Sequence, residues 1–303
     1  MALPSVEIPP DVMYIIADFV LGDRDPSTLK ACSLVFRHLR VTFQRALLAK
    51  RRISLSFEPS DDERCALLAD ILQADPSFGG CITDLHISLS HVEDTQSCAV
   101  GSLLPKFTHV RRLSLVDGAG EASRWYSLGG TGTALAAVVE LVCLGTLKTL
   151  ALEGCSAGWP ILLAKRKSLD CLVLTKVRNL HRSGGKGDEE GAEEYRSGKE
   201  HAPIIRHLEA CLVSARGVVE ATQDNAVWGR RHIIDLSRMH TFRTSFDYDD
   251  EDVGDGASSE IRRTRALEGL NTLLRREDVQ TALTTMVIKL KRSDRREYLD
   301  SRL

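Results

Sequence analysis

The sequence predicts an α/β protein in which a small helical head, residues 1–50, precedes an irregular strand-helix solenoid over residues 51–303. Two patterns carry that reading. Short apolar units of period two return along the chain, at Ile53-x-Leu55-x-Phe57, Leu85-x-Ile87-x-Leu89, Leu113-x-Leu115, Leu150-x-Leu152, Leu172-x-Leu174, around Leu208 and at Ile234-x-Leu236. Such alternation marks strands with one buried face. From Leu85 to Leu113, Leu150, Leu172, Leu208 and Leu236 the intervals are 28, 37, 22, 36 and 28 residues, room for one helix or loop between strands. That favours parallel pairing through crossovers. The second pattern is the head, where apolar positions recur at helical spacing in three consecutive stretches.

In the first stretch Pro9-Pro10 opens a helix, because Pro at the first helical position lacks only an N–H that has no intrahelical partner there. Val12, Ile15, Ile16 and Phe19 follow on one face, and Gly22 ends the run. Asp25-Pro26 is an N-cap and first turn for a second helix carrying Leu29, Cys32 and Val35. A third begins near Arg37, with Val35, Leu39, Phe43 and Leu47 every fourth residue and Arg37, Arg40, Arg45, Lys50, Arg51 and Arg52 on the wet side. Three helices in about 50 residues bury little apolar area alone, so the head leans on another surface.

These residues carry a family resemblance. Ile8-Pro9-x-Asp11-Val12-x-x-Ile15-Ile16, followed by Leu29-x-x-Cys32-x-x-Val35, resembles the F-box, whose familiar opening is Leu-Pro-x-Glu. Ile8 and Asp11 stand where that opening has Leu and Glu, and Leu39 stands where such motifs commonly carry a Trp. The resemblance implies that Ile8, Pro9, Val12, Ile15, Ile16, Leu29, Cys32 and Val35 bind a Skp-type adaptor and, through it, a cullin ligase.

In the body, the periodicity predicts helices over 65–74 (Leu67, Leu68, Ile71, Leu72) and over 134–144, the latter stopped by Gly145. Another carries Ile261, Leu267, Leu270, Leu273 and Leu274, and Met286-Val287-Ile288-x-Leu290 is a closing strand. Units such as Val110-x-x-Leu113-x-Leu115 and Leu147-x-x-Leu150-x-Leu152-x-x-Cys155 are similar to degenerate leucine-rich repeats. Two segments without apolar period, near 181–198 (Gly-rich and charged) and near 247–256 (acidic), are expected to be mobile loops.

Composition narrows the function. Lys and Arg number 40 against 42 acidic residues, so no global field recommends nucleic acid or a membrane surface. No apolar run has the length of a membrane span, and the first residues lack the pattern of a signal peptide. The expected location is therefore the cytoplasm, the nucleus or both. Eight cysteines are scattered without C-x-x-C and read as reduced core residues. Gly130-Thr131-Gly132 before a helix imitates a dinucleotide fingerprint, but its third glycine would be Leu135 and a long loop separates it from the preceding strand. Gly184-Gly185-Lys186-Gly187 lacks the Ser or Thr of a P-loop. The acidic run has Asp252 and Ser258 where a calcium loop needs Gly and Glu. The basic stretch from Lys289 to Arg296 is diluted by Asp294 and reads as a solvated end. No catalytic residue, metal site or cofactor is expected.

The expectation is thus a non-catalytic, substrate-recognition subunit of a Skp-cullin-F-box type ubiquitin ligase, its repeat surface binding a protein substrate. The alternative is a repeat-type protein-interaction scaffold with no ligase association, its head a helical cap. In the strands the leucines point to the core, so Arg112, Ser114, Thr149, Ala151 and Val173, with Cys171, Glu153 and Lys176 beside them, are the candidate substrate-binding residues.

Overall fold

The structure is a computed structural model that describes residues 9–23, 25–35, 40–57, 61–89, 99–117, 133–155, 163, 168–177, 204–211, 214, 218, 234–247 and 259–291. It is an α/β protein with one sheet of eight parallel strands, β1 (Arg52–Ser56), β2 (Asp84–Ser88), β3 (Arg112–Val116), β4 (Thr149–Glu153), β5 (Ser168–Thr175), β6 (Ile204–Cys211), β7 (Thr241–Asp247) and β8 (Thr285–Lys291). Spatial order equals chain order, each strand pairing with the next. Three helices precede the sheet, α1 (Pro10–Asp23), α2 (Pro26–Val35) and α3 (Arg40–Lys50). The crossovers contain α4 (Asp62–Ala74), α5 (Ala99–Leu103), α6 (Thr133–Cys143), α7 (Ser259–Leu274) and α8 (Glu277–Ala282).

The register is the organising fact of the body. Ile53, Leu85, Leu113, Leu150, Leu172, Leu208, Phe242 and Met286 lie side by side at one level, and two residues later so do Leu55, Ile87, Leu115, Leu152, Leu174, Ala210, Thr244 and Ile288. From β2 to β7 both rows are buried, in one core with Cys65 and Leu72 of α4, Val100 and Leu103 of α5, Val138, Leu141 and Val142 of α6, and Leu270 and Leu273 of α7. The helices therefore cover one face, and the alternate residues of the strands form the other. A third buried residue precedes each strand core by three positions: Ile82, Val110, Leu147, Leu169, Ile205 and Met239.

The head keeps a small core of its own. Val20, Leu29 and Phe43 are buried, with Ile16, Cys32, Ala46 and Leu47 packed on them. Asp25 caps α2 as its place predicts, accepting from Thr28 N at 2.9 Å, Thr28 Oγ1 at 2.6 Å and Ser27 N at 3.2 Å. These bonds, the Thr28 hydroxyl's first, hold its carboxyl below the ordinary carboxylate range. Helix α3 belongs to both bodies. Leu48 packs on the main core, Arg45 lies 3.3 Å from Asp75 and donates to Ser77, and its guanidinium stands 5.8 Å from the Phe78 ring. Ala49 O accepts from the Thr83 hydroxyl at 3.0 Å.

Several expectations change. Ile234 and Leu236 do not form a strand: both are buried, but only an isolated bridge joins Asp235 to Ile204, and the seventh strand is Thr241–Asp247. The β-branched and aromatic run Thr241-Phe-Arg-Thr-Ser-Phe suits a pleated ladder better than an apolar pair of two residues. Leu67 and Ile71 of α4 are exposed, the helix meeting the sheet through Cys65 and Leu72. Helix α1 runs through Gly22 to Asp23. Cys32, Cys81, Cys143, Cys171 and Cys211 are only half-buried, whereas Cys65 and Cys155 sit in the core. The loops expected near 181–198 and 247–256 lie outside the described residues, Asp247 excepted, as do Gly130–Gly132 and Gly184–Gly187.

Two substitutions test this packing. Gly154, directly after β4, has φ of +69° and a Cβ there would stand 2.3 Å from the Asp117 carbonyl oxygen. Gly154→Ala should cost at least about 1–3 kcal/mol in urea unfolding, since both the left-handed backbone and the clash oppose it. The Thr244 hydroxyl is buried in a leucine row with no hydrogen-bond partner among the described residues. Thr244→Val should therefore raise stability by about 1 kcal/mol, and a loss in the same titration would show that the hydroxyl is satisfied.

Candidate functional site

Two surfaces are candidates, one on each body. On the head, α1 is apolar nearly all round. Ile16 and Val20 turn to the small core, while Val12, Ile15 and Phe19 are 44, 69 and 76 % exposed and, at spacings of three and four, form one outward stripe. Leu34 near the end of α2 and Val41 at the start of α3 are exposed as well, and Pro9 is exposed just before α1. Of the residues implied by the F-box resemblance, Pro9, Val12 and Ile15 thus lie on the surface. Leu29 is wholly buried in the head's small core, and Ile16 and Cys32 are half-buried against that core. Ile8 and the Val35 side chain lie outside the described residues. Phe19, the most exposed of the stripe, was legible only as one more apolar position, because helical spacing does not say which of two adjoining faces turns inward.

On the body, the face of the sheet that no described helix covers brings the predicted substrate residues together. Arg112, Thr149 and Cys171 share one level on β3, β4 and β5, and Ser114, Ala151 and Val173 share the level two residues on. At a strand spacing of about 4.8 Å this is a continuous patch two rows deep. Its middle is neutral and small. Arg112 is exposed, yet its guanidinium lies 3.7 Å from Asp84, which also meets Arg52 at 3.3 Å. Ser114 is buried, and its hydroxyl is hydrogen-bonded to His86 Nδ1 at 3.1 Å. Thr149, Ala151, Cys171 and Val173 are half-buried, while Glu153 and Lys176 stand exposed at the strand ends, Lys176 with φ of +53°. Beyond the patch, Glu209 and Arg243 continue the Ser114 level on β6 and β7.

Burial pushes the Cys155 thiol up to about 12, with the Asp117 carboxylate adding to the shift, and burial followed by Glu209 raises Cys171. Both are thiols at neutral pH, the unreactive form. Burial, then the charge of Arg52, lowers the His86 pKa against the opposing pull of Glu153 and Asp84. His86 is therefore a neutral hydrogen-bonding group. Among the described residues no cluster of three or more His, Cys, Asp or Glu is placed to hold a metal ion, and no helix is long and apolar enough to cross a membrane.

No protein-family model matches the chain, and neither a curated protein nor a solved structure matches it.

The lowered pKa of His86 gives a signed expectation. The unfolded chain takes up a proton near the ordinary value of about 6.5 while the folded chain resists it, so the stability His86 contributes is present above that value and lost as pH falls below it. Urea midpoints measured from pH 7.5 down to 5 should fall less steeply for His86→Gln than for the parent chain. Equal slopes would mean that His86 protonates as readily folded as unfolded.

Proposed function

We propose that the chain is the substrate-recognition subunit of a Skp-cullin-F-box type ubiquitin ligase. In this reading residues 1–50 are an F-box whose α1 stripe docks on a Skp-type adaptor, and the eight-stranded body is a degenerate leucine-rich-repeat array whose uncovered face holds the protein to be ubiquitinated. The subunit does no chemistry itself. It works where the adaptor and cullin do, in the cytoplasm or nucleus.

The outward stripe of Val12, Ile15 and Phe19 carries the reading. Each such side chain gains about 1.5–3 kcal/mol on burial, and a three-helix head with so little core of its own leaves that gain unused unless a partner covers the stripe. A Skp-type adaptor is the occupant the motif at Pro9-x-Asp11-Val12-x-x-Ile15 implies. The repeat reading is supported by the spacing of buried residues. Ile82-x-x-Leu85-x-Ile87, Val110-x-x-Leu113-x-Leu115, Leu147-x-x-Leu150-x-Leu152, Leu169-x-x-Leu172-x-Leu174 and Ile205-x-x-Leu208-x-Ala210 keep one frame, with Cys155 after the third. The rival, a scaffold without ligase, draws on α3, since Leu48 packs on the body's core and the Ala49 carbonyl accepts from the Thr83 hydroxyl just before β2, as a helical cap would.

The test is capture of a purified Skp-type adaptor by the full chain. Ile15→Asp with Phe19→Asp should weaken capture by about a hundredfold or more, because unpartnered charge in an apolar interface costs several kcal/mol. The melting temperature should stay put, as both positions are exposed. Undiminished capture by that variant rules out the α1 stripe, and a folded parent chain that captures nothing makes the scaffold the better reading.

A further inference from the structure

The cations of this nearly neutral chain are not evenly spread over the sheet. One register level, Arg52, Asp84, Arg112, Thr149, Cys171, His207, Thr241 and Thr285, opens every strand except β5 and β6, which begin earlier, at Ser168 and Ile204, and directly before it in the chain stand Arg51, Thr83, Arg111, Lys148, Asp170, Arg206, His240 and Thr284. The ladder holds this level firmly, with Arg111 N donating to Thr83 O, Lys148 N to Arg111 O, Cys171 N to Lys148 O and His240 N to Arg206 O at 2.8–3.0 Å. Among these residues stand six exposed cations, Arg51, Arg52, Arg111, Arg112, Lys148 and Arg206, against two carboxylates. Asp84 is already shared between Arg52 and Arg112, and Asp170 is held by Arg206 at 2.7 Å. The opposite end of the sheet has no such excess. The level of Ser56, Ser88, Val116, Glu153, Thr175, Cys211, Ser245 and Lys289 carries one charge of each sign.

We infer that this strand-start rim is a docking site for an extended, Asp- and Glu-rich peptide segment of the protein bound at the uncovered face. The inference rests on the reading of that face as a protein-binding surface and adds the chemistry of what binds. The dimensions fit. From β1 to β6 the cations span five strand spacings, about 24 Å, which an extended chain crosses in about seven residues at ~3.3 Å each. A single phosphate or carboxylate would touch only one or two of the cations. Single-stranded nucleic acid gains affinity from aromatic platforms, and none of the strand-opening residues is Phe, Tyr or Trp. The exposed guanidinium groups of Arg52 and Arg112 are planar forks of N–H donors, which suit carboxylates.

Binding of fluorescein-labelled octaglutamate to the full chain, followed by anisotropy at 50 mM salt, tests the inference. Expected is saturable binding that Arg111→Glu with Lys148→Glu weakens at least tenfold, that Arg275→Glu just after α7 changes less than twofold, and that 300 mM salt largely abolishes, because the exposed charges are then screened over a much shorter distance. Should the double variant lose its circular dichroism, Lys148→Ala serves instead, with an expected loss of two- to fivefold. No binding by the parent chain overturns the inference, as do equal binding by the rim variant and an eight-nucleotide oligothymidylate that binds as tightly as octaglutamate. Adaptor capture run on the same preparations separates the two readings: capture without octaglutamate binding sinks the acidic-peptide site and leaves the ligase role standing, and the converse leaves the rim site and sinks the ligase role.

Discussion

The body depends on one constraint, the in-register pairing of eight parallel strands that share two buried rows. A parallel ladder whose neighbours are consecutive in the chain has little freedom: moving any strand by one residue would turn Leu113 or Leu150 outward and bring Ser114 or Ala151 into the core. Each misplaced leucine forfeits about 1.5–3 kcal/mol and each buried hydroxyl without a partner costs about 1–3 kcal/mol more. Register is thereby fixed strand by strand, and no single helix has to impose it. That tolerance explains why the crossovers differ so much in length while the sheet stays regular.

The same constraint decides what the uncovered face presents. Because the buried rows must be apolar, sequence variation is left to the alternate rows, and there the chain sets charge at both flanks and small neutral residues between. Arg52, Asp84 and Arg112 lie on β1 to β3, Glu209 and Arg243 on β6 and β7, with Thr149, Ala151, Cys171 and Val173 in the middle. The ends of the sheet are treated unequally. At β1 Leu55 is buried and Ile53 half-buried, with Leu48 of α3 packed on the same core, whereas at β8 Met286 is 38 % and Ile288 51 % exposed.

Much of this was legible because it rests on short-range period. Alternating leucines located seven of the eight strands to within a few residues, including the closing strand at Met286, and the outward set around Arg112 and Val173 followed from the alternation alone. What escaped was decided by packing between elements. The seventh strand uses Phe242 and Thr244, so a buried threonine hid it, while Ile234 and Leu236 offered a better pattern and became loop residues of the core. In α1 the apolar positions were plain, but which of them face the head's core depends on where Leu29 and Phe43 come to lie, and that is not a local property. The ion pairs at Asp84 join residues on three strands, and no spacing within one strand reports them.

The head and the body have separate cores, yet they are not loosely linked. Helix α3 contributes Phe43 and Leu47 to one and Leu48 to the other, residues that project from adjoining faces of the same turns, so it cannot rotate without emptying a core. Arg45 reinforces the junction by meeting Asp75 and Ser77 with its guanidinium while lying against Phe78. A partly exposed pair of this kind contributes little by itself, about 1 kcal/mol or less. Its geometric effect is larger, because it ties α3 to the 3₁₀ turn Pro76–Cys81 that leads into β2. The direction of the α1 stripe is consequently set relative to the strand-start rim. The proposed ligase role, in which one protein is held while α1 is presented to an adaptor, requires such a fixed angle, and a flexible linker in place of α3 would not supply it.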